Sequence, residues 1–356
     1  MKKINFILNG VANSGGGKVI RIYVSELIKK GYDVRIYFSY ASYAYKKGIK
    51  GQLYKFLSCL KKIYKYKIKN ELSDVKQYNY QVVPFINDKY IRDADITIAT
   101  AWVTAYDVIK LNEKKGKKYY FIQDYEIWDN EILGKKTYEF NLNKIAISTW
   151  IKNKIEQQGI KDKIKLLYNG IDVNTYKIDN KVFEEKNTIN CLMLSHNLEK
   201  KGVEQGLRAF ELAKEKYGNL NLTMFGLKAP HKKIPDYIKF VENPKISELV
   251  KLYHNADIYI FPSKEEGWGL TVTEAMASKC AVVGTNTGCM LDIGKNEENA
   301  LISEPNDITA LANNILRVAK DTKLRERISL NGYNTVKNMS WEKQVDKFIE
   351  ILQNEW

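Results

Sequence analysis

EEGWGLTVTEA, residues 265–275, holds Glu266 and Glu274 with Gly267, Trp268 and Gly269 among the seven residues between them. An apolar run, DIYIFPS (257–263), ends just before it, and TVTEAMASK reads as a helix starting near Leu270. The stretch is strand, glycine corner, helix. Gly267 and Gly269 permit the turn and a close approach to the backbone. Leu270 and Thr271 would offer N–H groups at the helix start, a setting that suits a diphosphate. Glu266 lies before the helix and Glu274 one turn inside it, so both carboxylates can face one cavity at different depths. A carboxylate accepts paired hydrogen bonds, as neighbouring hydroxyls of a ribose or hexose would donate. Taken alone, Glu274 is equally a favourable charge in a first helical turn.

The same grammar extends in both directions. TINCLML (188–194), LNLTMFG (220–226) and CAVVGT (280–285) read as buried strands, separated by helical segments at 202–218 and 246–256. In the first half, INFILNG (4–10), YDVRIYF (32–38), ADITIAT (94–100), KKYYFIQD (117–124) and KIAIST (144–149) alternate with helical or polar segments. In the first helix, KVIRIYVSELIKKG, Ile20, Tyr23, Val24, Leu27 and Ile28 fall on one face. Alternation of this kind predicts α/β architecture with parallel sheets covered by helices. At 356 residues the chain is long enough for two domains. A polar segment at 177–187 marks the expected boundary, and two such sheets facing each other would leave a cleft at the carboxyl ends of their strands. The last helix, WEKQVDKFIEILQNEW, carries Val345, Phe348, Ile349 and Leu352 on one face and could pack on either domain.

Composition narrows the class. Cys59, Cys191, Cys280 and Cys289 show no CxxC spacing and sit in or beside apolar runs, which fits buried thiols in a reducing cytosol. His196, His231 and His254 lie far apart and form no metal-ligand pattern. No run approaches the roughly 18 apolar residues of a membrane span, so a soluble or peripheral protein is expected. A net charge of +15 calls for an anionic partner: nucleic acid, lipid or a phosphorylated small molecule. No nucleic-acid recognition motif is present.

The loop GVANSGGGKV fails two familiar phosphate patterns. It lacks G-x-G-x-x-G, and Val19 follows Gly17-Lys18 where a Walker loop needs Ser or Thr. What remains is a glycine loop at a helix N-terminus, open to a phosphate or sugar, or simply a flexible βα turn.

The string EEGWGLTVTEAMASKCAVVGTNTG closely resembles the E-x7-E region of the retaining glycosyltransferases of family four. SGGGKV resembles their first glycine loop, LYNGIDVNTY (167–176) their interdomain segment, NADIYIFPS the strand leading into the motif, and SWEKQVDKF their closing helix. The resemblance covers essentially the whole chain. It implies an α/β GT-B fold, two Rossmann-like domains facing a central cleft. Residues 1–176 would be the acceptor-binding domain, rejoined by the closing helix 341–356, and 177–340 the nucleotide-sugar domain.

By that resemblance Glu274 would bind the nucleotide ribose and Glu266 the transferred sugar. The backbone from Gly267 and Trp268 through Gly269, Leu270 and Thr271 would hold the diphosphate and sugar. Gly15, Gly16 and Gly17 would form the glycine loop, with Gly16 approaching the phosphates from across the cleft. Relatives carry an Arg and a Lys before a glycine to neutralise the diphosphate. In SHNLEKKG, Lys201 keeps its place while His196 stands where the Arg is expected, either a weaker cation or an ordinary polar loop residue. FIQDYEIW (121–128) puts Gln123-Asp124 where many relatives have His-Asp. Gln123 cannot titrate near pH 7, which excludes a general base there and is compatible with front-face transfer. The resemblance thus assigns Glu266, Lys201, Gln123 and Asp124 to catalysis, with no metal and no cofactor beyond the nucleotide diphosphate sugar donor.

ATAWVTAYDV followed by YYFIQDYE looks like a subgroup containing bacterial rhamnosyltransferases of surface-glycan assembly. The acceptor would then be a glycan or lipid-linked glycan. Residues 46–69 hold nine lysines and no acid, with an apolar stripe through Leu53, Phe56, Leu57, Leu60, Ile63 and Tyr64. Such a stretch fits an anionic membrane surface, at the cytoplasmic face of the plasma membrane, or a helix packed on its own sheet. Two other readings stay open: a non-catalytic partner of a glycosyltransferase, and a sugar-nucleotide epimerase of the same fold.

Overall fold

The computed structural model describes residues 2–9, 15–39, 57, 79–228 and 234–353. The basic stretch 46–69 lies outside the described residues, Leu57 excepted, and so does the loop 10–14. Two compact units divide the chain. One comprises Met1–Ile147, Ile151–Tyr168 and Val345–Trp356, the other Ser148–Trp150 and Asn169–Gln344.

The first unit is built on a seven-stranded sheet in the order β3-β2-β1-β4-β5-β6-β7. Its strands are β1 (Lys3–Leu8), β2 (Asp33–Ser39), β3 (Tyr80–Val83), β4 (Ile96–Ala99), β5 (Lys117–Ile122), β6 (Asn143–Ala146) and β7 (Ile164–Leu166). Every pairing is parallel. Central strands of a parallel sheet are covered on both faces, and the apolar runs here are correspondingly continuous: Ile96–Ala99 and Tyr119–Ile122 are buried at every position. The strand order reverses between β1 and β4, which puts a crevice at their carboxyl ends.

The helix Gly15–Lys29 begins three residues before the expected start, so the three glycines form its first turn and not a loop. First-turn N–H groups lack intrahelical acceptors, so glycine there forfeits little hydrogen bonding. Val19, Ile20, Tyr23, Val24 and Leu27 form its buried face, whereas Ile28, expected on that face, is exposed. The last helix, Trp341–Gln353, changes unit at Gln344/Val345. Phe348 packs at ring-centroid distances of 5.1 Å from Tyr23, 5.7 Å from Phe121 and 6.4 Å from Phe6, so this helix completes the first unit's core.

The second unit has a six-stranded parallel sheet in the order β10-β9-β8-β11-β12-β13. Its strands are β8 (Ile189–Leu194), β9 (Leu220–Gly226), β10 (Lys239–Glu242), β11 (Ile258–Phe261), β12 (Ala281–Thr285) and β13 (Leu301–Ser303). The order reverses between β8 and β11, so the loops leaving those two strands line this unit's crevice. The unit begins at Asn169, ahead of the polar segment 177–187. The short helix Val173–Tyr176 belongs to it because the Tyr176 hydroxyl bonds Glu274. Cys191, Cys280 and Cys289 are buried free thiols. Among the described residues no helix is long and apolar enough to cross a membrane, and no group of three His, Cys, Asp or Glu could hold a metal ion.

Candidate functional site

In the second unit the corner after β11 and the loop after β8 are stitched together. The N–H groups of Lys264 and Glu265 both donate to the Lys200 carbonyl, at 2.8 and 3.1 Å. Gly202 closes the short turn Glu199–Lys201 with a left-handed backbone, φ 63°. A side chain there would also run into the Pro262 carbonyl oxygen, so only glycine lets the two loops meet this closely. The result places Lys201 beside Glu266, its Nζ 2.6 Å from Oε1 and 2.6 Å from Oε2. Both side chains are mostly buried, 17% and 13% exposed. Ser263 Oγ donates to Glu266 Oε2 at 3.4 Å.

Gly269 caps the helix Leu270–Ala277 with φ 94°, and the first helical bond inside it runs from the Val272 N–H to the Gly269 carbonyl, 2.9 Å. The amides of Leu270 and Thr271 stand before that bond, at the positive end of the helix. Trp268 is 2% exposed, and its carbonyl accepts from Cys289 N–H at 2.6 Å. Its indole is therefore core, and its carbonyl is already engaged. Behind the corner, Gly288 (φ 56°) lets Glu266 lie flat: a Cβ at 288 would sit 3.0 Å from the Glu266 Cβ and Cγ.

Glu274, one turn into the helix, is only 7% exposed. Its Oε1 accepts from the Tyr176 hydroxyl and its Oε2 from the Tyr253 hydroxyl, both at 2.9 Å. Burial, then the Glu274 charge, raises the pKa of both tyrosines, which keeps the phenols protonated as donors. His196 follows β8 on the exposed rim, and its Nδ1 accepts from the Leu198 N–H at 3.0 Å. Desolvation and the Lys201 charge lower its pKa, which favours the neutral ring.

In the first unit the structure brings Gly16 and Gln123 together. A Cβ on Gly16 would lie 3.4 Å from Gln123 Oε1, an atom that is buried and accepts no hydrogen bond within the described residues. Gly15 has open space around it. Asp124 Oδ1 accepts from the Tyr125 N–H at 2.9 Å, a local turn contact. Two residues further on is an acid that sequence spacing did not single out, Glu126. It is 4% exposed, and its Oε2 accepts from the Tyr120 hydroxyl at 2.7 Å. Burial pushes its carboxyl up to about 8, against the pull of that hydroxyl and of the Trp102 and Gln123 amides.

Sequence reading also missed Tyr176, Tyr253, Ser263 and Gly288 as neighbours of the two glutamates. Tyr176 and Gly288 lie inside strings singled out for other reasons, LYNGIDVNTY and the run ending GTNTG. Tyr253 gave no signal beyond its place on a helical face.

Two parallel-sheet Rossmann-like α/β units make up the GT-B fold class. Residues 174–335, most of the second unit, match the family described as Glycosyl transferases group 1. The chain is 28% identical over 230 residues to the capsular polysaccharide biosynthesis glycosyltransferase CapM of Staphylococcus aureus, covering 59% of this chain and 60% of that protein. It spans about 60% of the length of the first curated relatives it matches. An uncharacterized glycosyltransferase of Haemophilus influenzae is 25% identical along 99% of this chain and 100% of its own. The fold matches that of Anabaena Alr3699/HepE, solved in complex with UDP, with a TM-score of 0.74 at 16% identity, covering 99% of this chain and 100% of that one.

Proposed function

We propose that this protein is a glycosyltransferase that takes a hexose from a nucleotide diphosphate sugar and passes it, with retention, to a hydroxyl of a growing bacterial surface glycan. The observation that carries this reading is Lys201 held at 2.6 Å from both Glu266 oxygens, beside the start of the helix Leu270–Ala277. A diphosphate brought to that helix start would meet an ammonium and helix-dipole charge, which together stabilise it as it leaves. Glu274 would receive the ribose and Glu266 the sugar. Gln123, which cannot serve as a base, would orient by hydrogen bonding, with the leaving diphosphate taking the acceptor proton. The kinship to CapM and the group 1 family supports transfer into a polysaccharide. Rhamnose as the hexose rests on the likeness of ATAWVTAYDV and YYFIQDYE to rhamnosyltransferases. A membrane-linked acceptor, reached from the cytoplasmic face, rests on the lysines of 46–69.

The test is a panel of nucleotide sugars scored for donor hydrolysis and thermal stabilisation of the purified protein. One donor should be hydrolysed slowly and raise the melting temperature. If no donor does either, the reading falls and a binding module is favoured. Pelleting with anionic vesicles, with the 46–69 lysines neutralised as control, checks the membrane claim; equal pelleting of both forms would remove it.

A further inference from the structure

Glu126 is a buried acid with no place among the groups that hold the donor. It stands in the stretch 123–130 that leaves β5, which has no helix or strand of its own. Such a segment depends on side chains for its shape. The Glu126 carboxyl takes the Tyr120 hydroxyl from β5 at 2.7 Å, and the amides of Gln123 and Trp102 bond to the same group. Trp102 opens the helix Trp102–Val108 after β4, so one side chain ties together the exits of two neighbouring strands. The backbone of Glu126 is fixed as well. Its N–H donates to the Tyr138 hydroxyl at 2.8 Å, and a Cβ at Gly134 would come within 2.4 Å of its carbonyl oxygen. Tyr120 and Tyr138, which supply the two hydroxyls, stack on each other at 6.2 Å.

Gln123 is the residue that this bracing reaches. Its Oε1 ends 3.4 Å from where a Cβ on Gly16 would stand, at the first turn of the helix Gly15–Lys29. β1, β4 and β5 are adjacent in the sheet, so Gly16, Trp102 and Gln123 leave three neighbouring strands at the crevice of this unit. A carboxamide orients a sugar only as well as its own backbone is held, and a displacement of about 1 Å can cost roughly a hundredfold in rate.

We propose that Glu126 is a positioning residue: by accepting from the Gln123 and Trp102 amides it fixes where the Gln123 side chain stands against the head of the helix Gly15–Lys29, and so sets the rate of sugar transfer without touching the sugar. The inference rests on the assignment of Gln123 to the reacting sugar. A buried acid that served folding alone would lower stability and leave the contribution of Gln123 to turnover intact. One that acts through Gln123 loses its effect on turnover once that side chain is gone.

The experiment is donor hydrolysis by the whole protein with a panel of nucleotide sugars, UDP-glucose, GDP-mannose and dTDP-rhamnose among its members. The fastest donor then serves for kcat and KM. Variants are Gln123→Ala, Glu126→Leu, Glu126→Gln and the double variant Gln123→Ala with Glu126→Leu, each with a thermal melt as the folding control. Glu126→Leu offers no acceptor and should lower kcat roughly tenfold or more with KM nearly unchanged. Glu126→Gln, which keeps a neutral acceptor of the same shape, should recover most of that loss. In the double variant kcat should equal that of Gln123→Ala alone. If Glu126→Leu does not melt cooperatively, Tyr120→Phe, which removes one hold on the carboxyl, takes its place in the cycle, with a smaller loss expected and the same non-additivity. Three results overturn the positioning role and leave the functional reading standing: losses that multiply in the double variant, ordinary kcat in Glu126→Leu, or Glu126→Gln as slow as Glu126→Leu. Ordinary kcat in Gln123→Ala overturns the inference by removing Gln123 from the reaction. A wild type that hydrolyses no donor of the panel takes down the functional reading and the inference with it.

Discussion

Lys201 Nζ and the Glu266 carboxylate form a symmetric pair, 2.6 Å to each oxygen, across 65 residues of sequence. With both side chains mostly buried, neither charge can be removed without leaving the other in a poorly hydrated place. Lys201→Ala should therefore lower stability by more than an exposed pair would, and Glu266→Gln added to it should recover part of the loss. A double-mutant cycle by denaturant unfolding should return a coupling on the order of 1–3 kcal/mol. A coupling of zero would mean that the pair is screened and contributes nothing.

The two glutamates should separate kinetically. Glu274→Ala is expected to weaken nucleotide binding, seen as a higher dissociation constant in calorimetry. Glu266→Ala should leave free nucleotide binding nearly intact while turnover falls roughly 10- to 100-fold, the loss of one charged hydrogen-bond acceptor for the sugar. Ordinary turnover in that variant would remove Glu266 from the site.

Glu126 gives stability a pH dependence of definite sign. Its folded pKa, about 8, lies above the free value of 4.5, so the folded chain keeps a proton that the unfolded chain releases between those limits. Its contribution therefore falls as pH rises from about 4.5 to about 8 and levels off beyond. At about 1.4 kcal/mol per unit the span amounts to a few kcal/mol. Glu126→Gln should flatten that part of the curve and raise the urea midpoint at pH 9 relative to wild type. Parallel curves for the two proteins would contradict the buried-acid account.

Glycines at the two helix starts should behave in opposite ways. Gly202→Ala combines a left-handed backbone with a collision at Pro262, so a loss of about 2 kcal/mol or more and displacement of Lys201 are expected. Gly15→Ala meets open space in a helical turn and should be neutral or stabilising by about 0.5–1 kcal/mol. Melting temperatures of the two variants compare them directly.

The central strands were legible because burial on both faces writes itself as an unbroken apolar run, as in ITIA and IYIF. β3, β7, β10 and β13 were not, because each carries half-exposed positions that leave no unbroken apolar run to read. The carboxylate corner was legible as local spacing. Its supports were not: Tyr176 reaches Glu274 across 98 residues and Tyr253 across 21, distances over which no periodicity operates. Glu126 sat inside a string already singled out, but its raised pKa comes from burial, which a single sequence does not display.

The passage of the last helix from one unit to the other at Gln344/Val345 bears on how the chain is made. Synthesis runs from the amino end, so β1 through β7 leave the ribosome long before Phe348, the ring that Phe6, Tyr23 and Phe121 close upon. Until then the first unit carries an uncovered aromatic face while Asn169–Gln344 of the second unit is being translated. The half that is born first is the half that is finished last.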